Sequence, residues 1–263
     1  MRTALICIVR NENPYLQEFV SHYIGLGFKK IFLCDNGYGN EPSPFEVIGK
    51  YIPYVEVIDY RNRPHPQNVA YNECYEKYGK AFDWIAFFDC DEFLVLKHDK
   101  TISQYLSRFP RDAELITINW QTMTDNNLLQ YENKPLMHRF TTPMALKKKI
   151  LCNFPENRHV KCIVKGFLPK VTWENPHCPI EKLVSYHSSI KKNNQSGIQG
   201  INYTFAMLRH FPTKTIEEWC RNKVPRKRVH NGGEYAPEKF FRYNEKTPEK
   251  VKIMKSFFPN AKT

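Results

Sequence analysis

The chain has 263 residues, 25% charged and 41% hydrophobic, with a formal net charge of +12. That length supports one large α/β domain with a sizeable core and excludes a small disulfide-built scaffold, in spite of eight cysteines. The basic balance points to an acidic partner (a phosphorylated substrate, nucleic acid or anionic lipid), and no run reaches the ~20 apolar residues of a membrane span.

The cysteines form no Cys-x-x-Cys pair, and Cys7 and Cys34 sit inside apolar runs where a small hydrophobe fits. Free thiols in a reducing cytoplasm are expected. The apolar part of the N-terminus is too short for a secretory signal. Together these predict a cytoplasmic protein, at most peripheral to the inner face of a membrane. Basic clusters occur at residues 147–149, at 191–192 and across 221–228.

Residues 4–9 are a continuous apolar run, which predicts a buried strand. Leu16, Phe19, Val20, Tyr23 and Ile24 then recur at helical spacing, and Gly25 and Gly27 stop the helix. Residues 30–34 predict a second strand, followed by a loop rich in Gly, Asn and Pro. A short helix is expected over 45–50, a third strand over 55–59 and a helix over 67–78. The fourth strand, 84–88 (Trp-Ile-Ala-Phe-Phe), runs straight into Asp89-Cys90-Asp91-Glu92. Alternation of this kind implies a parallel sheet with right-handed crossovers.

Carboxylates packed that closely need a cation, a proton or good solvation to coexist. A hard divalent metal satisfies them with oxygen ligands and leaves positions for phosphate oxygens. A bare Asp-x-Asp is as readily an exposed acidic turn, so its context decides. The four predicted strands end in Arg10-Asn11-Glu12, Asp35-Asn36, Asp59-Tyr60-Arg61 and Asp89-Cys90-Asp91. In an open parallel sheet these ends lie side by side, where ligands bind. No Gly-x-Gly-x-x-Gly or P-loop is present, so phosphates there must be held by metal and side chains.

The second half is less regular. Strands are expected at 114–119, 159–167, 171–173 and 203–211, and a polar loop follows Trp120. Thr215 and Glu218 have capping-box spacing and open a helix predicted to run through Lys223. From Pro237 onward, aromatic and basic residues alternate. The expected organisation is a main domain over 1–235 and a basic helical C-terminal extension over 236–263. His159, Cys162, His177 and Cys178 fit no common zinc spacing.

Taken in order, Val9-Arg10-Asn11-Glu12, Asp35-Asn36-Gly37, Phe88-Asp89-Cys90-Asp91-Glu92-Phe93, Val160-Lys161-Cys162-Ile163-Val164, His177 and Leu208-Arg209-His210-Phe211 cover most of the chain. This ordered set resembles glycosyltransferases of the GT-A fold, and is most similar to the family 92 and family 2-like group. The resemblance implies a Rossmann-like, mostly parallel α/β sheet with flanking helices, a UDP-sugar donor and a divalent metal, Mn²⁺ or Mg²⁺. It implies that Asp89 and Asp91 hold the metal and donor, with His210 completing the metal shell and His177 its rival. Arg10, Glu12, Asp35 and Asn36 match positions that grip the nucleobase and ribose. Gln67 is expected to reach the same pocket, and Lys161 to face the departing diphosphate.

An inverting transfer also needs a carboxylate to take the acceptor proton. Asp125 is the first candidate and Glu174 the second, although Gln-Thr-Met-Thr-Asp-Asn-Asn here departs from the glycine-containing loop usual in such enzymes. The expected reaction adds a hexose, galactose being the candidate, to a glycan or glycolipid such as lipopolysaccharide. The basic C-terminal half suits peripheral contact with anionic membrane, and no nucleic acid is expected. A nucleotidyltransferase acting on sugar phosphates is the nearest enzymatic alternative. A phosphatase of the haloacid dehalogenase type would carry Asp-x-Asp on its first strand rather than its fourth. A non-enzymatic basic protein binding nucleic acid or anionic membrane is the remaining alternative, and would show strong salt dependence without turnover.

Overall fold

In the computed structural model, residues 1–64, 66–144, 155–226 and 232–262 are described. The basic cluster at 147–149 and the end of the cluster at 221–228 lie outside them.

The first half alternates strand and helix: β1 (Thr3–Val9), α1 (Asn13–Gly25), β2 (Lys30–Asp35), α2 (Pro44–Val47), β3 (Val55–Asp59), α3 (Pro66–Tyr78) and β4 (Trp84–Phe87). β5 (Glu92–Leu96), α4 (Ile102–Leu106), β6 (Leu115–Thr122), α5 (Leu136–Arg139), β7 (Val160–Lys165), β8 (Ser185–His187) and β9 (Ala206–His210) follow. The chain then forms α6 (Ile216–Glu218), a π-helical turn (Trp219–Lys223), a 3₁₀ segment (Pro237–Arg242) and α7 (Pro248–Phe257).

The strands make one sheet in the order β3-β2-β1-β4-β7-β6-β9-β5, with β8 also paired to β6. β1 through β4 are mutually parallel, as the alternating pattern predicts. β7 runs antiparallel to β4 and β6, and β5 antiparallel to β9. The architecture is therefore the expected α/β class, with a parallel half joined to a mixed half.

Every residue of β1 is buried because both of its faces are covered. Leu5, Cys7 and Val9 face α1 and its aromatic residues Tyr15, Phe19 and Tyr23, while Ala4, Ile6 and Ile8 face α3 through Ala70, Tyr71 and Cys74. Covering both faces fixes the register of the central strands, since a one-residue slip would exchange the two side-chain sets. Gly166, just beyond β7, has no room for a side chain: a Cβ there would lie 1.8 Å from the Phe82 carbonyl oxygen. This close approach locks the start of β4 against the end of its antiparallel neighbour.

Two local expectations are corrected, and one strand is added. Residues 171–173 form no strand, although Trp173 is buried with its ring 4.0 Å from Phe87. That segment is held by single bonds, such as Trp173 N–H donating to Asn72 Oδ1 at 2.7 Å, rather than by a ladder. β5 was not anticipated: Glu92–Leu96 follows the acidic cluster directly and pairs with β9. The helix from Thr215 becomes π-helical at Trp219.

The boundary drawn at residue 235 crosses a continuous apolar cluster. Phe240 and Met254, from beyond it, are buried with Ile216, Trp219 and Cys220 from before it.

Candidate active site

The ends of β1 and β4, the Ala206–His210 strand and the π-helical turn converge on a cavity of about 270 Å³. Its wall includes seven residues expected from sequence: Arg10, Glu12, Gln67, Asp89, Asp91, His177 and His210. Trp120, Trp219, Lys223, Arg226, Tyr235, Lys239 and Tyr243 complete much of it.

Asp89 leaves β4 with both oxygens engaged. Oδ1 accepts from Gln67 Nε2 at 2.7 Å and from the Tyr71 hydroxyl at 3.1 Å, and Oδ2 lies 2.8 Å from Lys161 Nζ. Burial is the largest single influence and pushes its pKa up, but the charge and hydrogen bond of Lys161, with a smaller contribution from His177, together bring the carboxyl below its ordinary value. Lys161 is itself only 1% exposed and sits behind Asp89, with Glu92 Oε1 at 3.9 Å on its other side. Glu92 is wholly enclosed, and burial raises its pKa well above the carboxylate range. The Lys161 ammonium is thus enclosed between two carboxyl groups whose pKa values are shifted in opposite directions, and Lys161 does not line the cavity.

Asp91 is arranged differently. Its Oδ2 lies 2.7 Å from Lys223 Nζ, on the cavity wall, and its Oδ1 faces His210 Nε2 at 3.8 Å. Burial opposes ionisation, but Lys223, His210 and Lys214 keep its pKa well below the usual value. Burial drives the His210 pKa down to about 4, against the pull of Asp91, so the ring is neutral near pH 7. Trp120 lies against that ring, centroids 4.1 Å apart. His177 is also neutral near pH 7, with burial and Lys161 lowering its pKa to about 3. Its Nδ1 is 3.0 Å from the Val160 carbonyl oxygen, which can only accept, so Nδ1 carries the proton and Nε2 is the free acceptor.

A neutral imidazole facing a carboxylate oxygen is a reasonable donor pair for a divalent ion. Ligand bonds of ~2.1 Å can bridge their separation. Among the described residues, no group of three or more His, Cys, Asp or Glu side chains is arranged to hold a metal. A metal here would therefore draw its remaining ligands from water and phosphate, as Mg²⁺-type sites do.

Other expected residues lie elsewhere. Asp35 is paired with Arg61 at 2.8 Å and lines a separate surface groove, while Asn36 donates to the Tyr60 carbonyl at 2.7 Å. Glu12 is on the wall, but Lys214 at 3.1 Å and Arg226 occupy its carboxylate. Asp125 is not brought to the cavity: it is 2% exposed, with Lys250 2.6 Å from Oδ2 and the Asn127 N–H donating to Oδ1 at 3.0 Å. It acts as a turn-forming, ion-paired group, and a base needs a free lone pair at the reacting centre. Glu174 is exposed, two residues before the wall residue Pro176.

Lys223 and Arg226 are the residues that sequence reasoning missed. The basic run at 221–228 was visible as charge, but nothing in its pattern showed that a π turn and the residues just after it would point Lys223 and Arg226 inward.

The model of glycosyltransferase family 92 matches residues 5–231. The chain belongs to glycosyltransferase family 92. The family assignment spans both the parallel half of the sheet and the π-helical turn. No curated protein matches the chain. Among solved structures it is similar to S. aureus TarS 1–349, at 11% identity and a TM-score of 0.45 over 98% of this chain and 70% of that one. The same protein in complex with UDP-GlcNAc matches at 12% identity and a TM-score of 0.39, over 49% of this chain and only 37% of that one. GalNAc-T7 with UDP, GalNAc and Mn²⁺ matches at 15% identity and a TM-score of 0.35, over 48% and 24%.

Proposed function

We propose that the cavity binds a UDP-sugar and transfers its hexose, galactose being the first candidate, to a hydroxyl of a glycan, with inversion. The observation that supports this reading is the convergence of Asp89, Asp91 and neutral His210 with Lys223 and Arg226 at the strand ends. Acidic and basic groups in one concave site suit a nucleoside diphosphate, whose ribose hydroxyls seek acceptors and whose phosphates seek cations.

Sugar transfer from UDP passes through an oxocarbenium-like state while negative charge grows on the diphosphate. Groups already aimed at that charge are the largest source of rate enhancement. Asp91 and His210 would hold a Mn²⁺ or Mg²⁺ ion, which when bound supplies Lewis-acid stabilisation of the leaving diphosphate. Asp89, locked by Lys161, Gln67 and Tyr71, presents a fixed carboxylate edge to the donor. Arg10 and Gln67 contribute further polar contacts, and Trp120 and His177 form walls that exclude water. Of the two base candidates, exposed Glu174 retains a lone pair for the acceptor proton, and the reading places the base there.

The glycan acceptor, lipopolysaccharide or another surface polysaccharide, belongs to the same reading, as does peripheral contact with anionic membrane through exposed Lys246, Lys252 and Lys255. Among the described residues no helix is long and apolar enough to cross a membrane.

UDP release from a panel of UDP-sugars, with Mn²⁺ and again with EDTA, tests the reaction. Metal-dependent hydrolysis of one sugar nucleotide is expected, and Asp91→Asn or His210→Ala should lower its rate about a hundredfold or more. Full activity in both variants would remove the metal assignment.

A further inference from the structure

The two carboxylates of the Asp-x-Asp motif are each paired with a lysine, but the two lysines are placed differently. Lys161 is sealed behind Asp89, while Lys223 shares the cavity wall with Asp91. The wall carries three carboxylates, Glu12, Asp89 and Asp91, against four cationic side chains, Arg10, Lys223, Arg226 and Lys239. Lys161 and Lys214 stand directly behind, paired to Asp89 and Glu12. A site that must first capture a free divalent cation is expected to be net negative, and this one is net positive. Its field favours an anion over a bare metal ion.

Lys223 is also firmly placed. The π-helical turn that carries it begins at Trp219, whose indole N–H donates to the Pro237 carbonyl at 2.9 Å. The preceding turn is fixed by Glu218, which accepts from Arg139 at 2.9 and 3.0 Å, both partners being almost fully enclosed. π turns inside helices recur at functional sites because they re-aim side chains.

We infer that Lys223 is the chain's own counter-charge for the donor diphosphate, so that the site takes up a nucleoside diphosphate without a divalent ion bound first. This rests on the UDP-sugar reading. The metal then serves turnover, while Lys223 serves binding. Lys161, the lysine singled out from sequence for the diphosphate, positions Asp89 instead.

The test is UDP binding by calorimetry to the full chain, with Mn²⁺ and with EDTA, for wild type, Lys223→Met and Lys223→Arg. Wild type should bind UDP in EDTA within about tenfold of its affinity in Mn²⁺. Lys223→Met should lose about tenfold to a hundredfold in EDTA, the range of one charge-assisted hydrogen bond, and Lys223→Arg should recover most of it. The wild-type measurement stands alone if Lys223→Met fails to fold: binding seen only with Mn²⁺ overturns the inference and leaves the donor reading intact. Equal affinities for wild type and folded Lys223→Met in EDTA also overturn it. No UDP binding in either condition would sink the donor reading itself.

Discussion

Lys161 shows how far a single side chain's role depends on what surrounds it. Its ammonium is enclosed between Asp89 and Glu92, and Tyr71 packs nearby with its ring centroid 6.0 Å from Nζ. A lysine at a diphosphate should alter turnover and leave stability alone, whereas one that neutralises a buried carboxylate should do the reverse first. Removing one partner of a buried pair typically costs about 3–5 kcal/mol. Asp89 keeps two neutral donors and is 30% exposed at its side chain, so the lower end of that range applies. Lys161→Met should therefore lower unfolding stability by about 3 kcal/mol in urea titration, with activity falling as Asp89 loses its orientation. An unchanged midpoint with reduced turnover would return Lys161 to the diphosphate.

Elements were legible where burial on both faces wrote a continuous apolar run. The β1–β4 strands and the α1 and α3 helices follow from such runs and from helical spacing. β5 was hidden because it starts on Glu92, with no Gly or Pro separating it from the acidic cluster, and its partner β9 lies far along the chain. Residues 171–173 show the converse: apolar content predicted a strand, but no neighbour among the described residues offers a ladder. The short β8 depends on local polar bonds as well as its pairing with β6. His187 Nε2 is 2.6 Å from Asn119 Oδ1 on β6, and burial lowers the His187 pKa from 6.5 to about 4. The folded state thus keeps the ring neutral where the unfolded chain protonates it. That contribution is fully present above pH 6.5 and is lost as pH falls towards 4, with a slope of at most about 1.4 kcal/mol per pH unit. Wild type should lose more urea resistance between pH 7.5 and 5 than His187→Gln, whose side chain does not titrate. Parallel losses in the two proteins would show that other groups dominate acid sensitivity.

At the scale of the whole molecule, the site is assembled from both ends of the chain, and this explains what could and could not be read in advance. Arg10, Asp89 and Asp91 were legible because each follows directly on a strand of the parallel alternation, Gln67 because it opens the helix before β4, and His177 and His210 only through the ordered family resemblance. The cations that face them come from a turn whose placement is set by long-range packing, which no local pattern encodes. The same packing bears on the C-terminal segment. Phe240 and Met254 are fully buried against Trp219, and Lys250 reaches back to Asp125 at 2.6 Å. Exposing two such side chains costs on the order of 3–6 kcal/mol, and leaving Asp125 unpaired adds to it. Domains of this kind have only about 5–15 kcal/mol of stability in total. Truncation after residue 235 should therefore lower the thermal midpoint sharply or abolish cooperative unfolding. It should also weaken UDP binding, because Lys239 and Tyr243 leave the cavity wall and Trp219 loses the Pro237 carbonyl that anchors the Lys223 turn. A truncated chain that melts like the full one and binds UDP equally well would show that the segment is a separable extension, and that the turn carrying Lys223 is held by α6 alone.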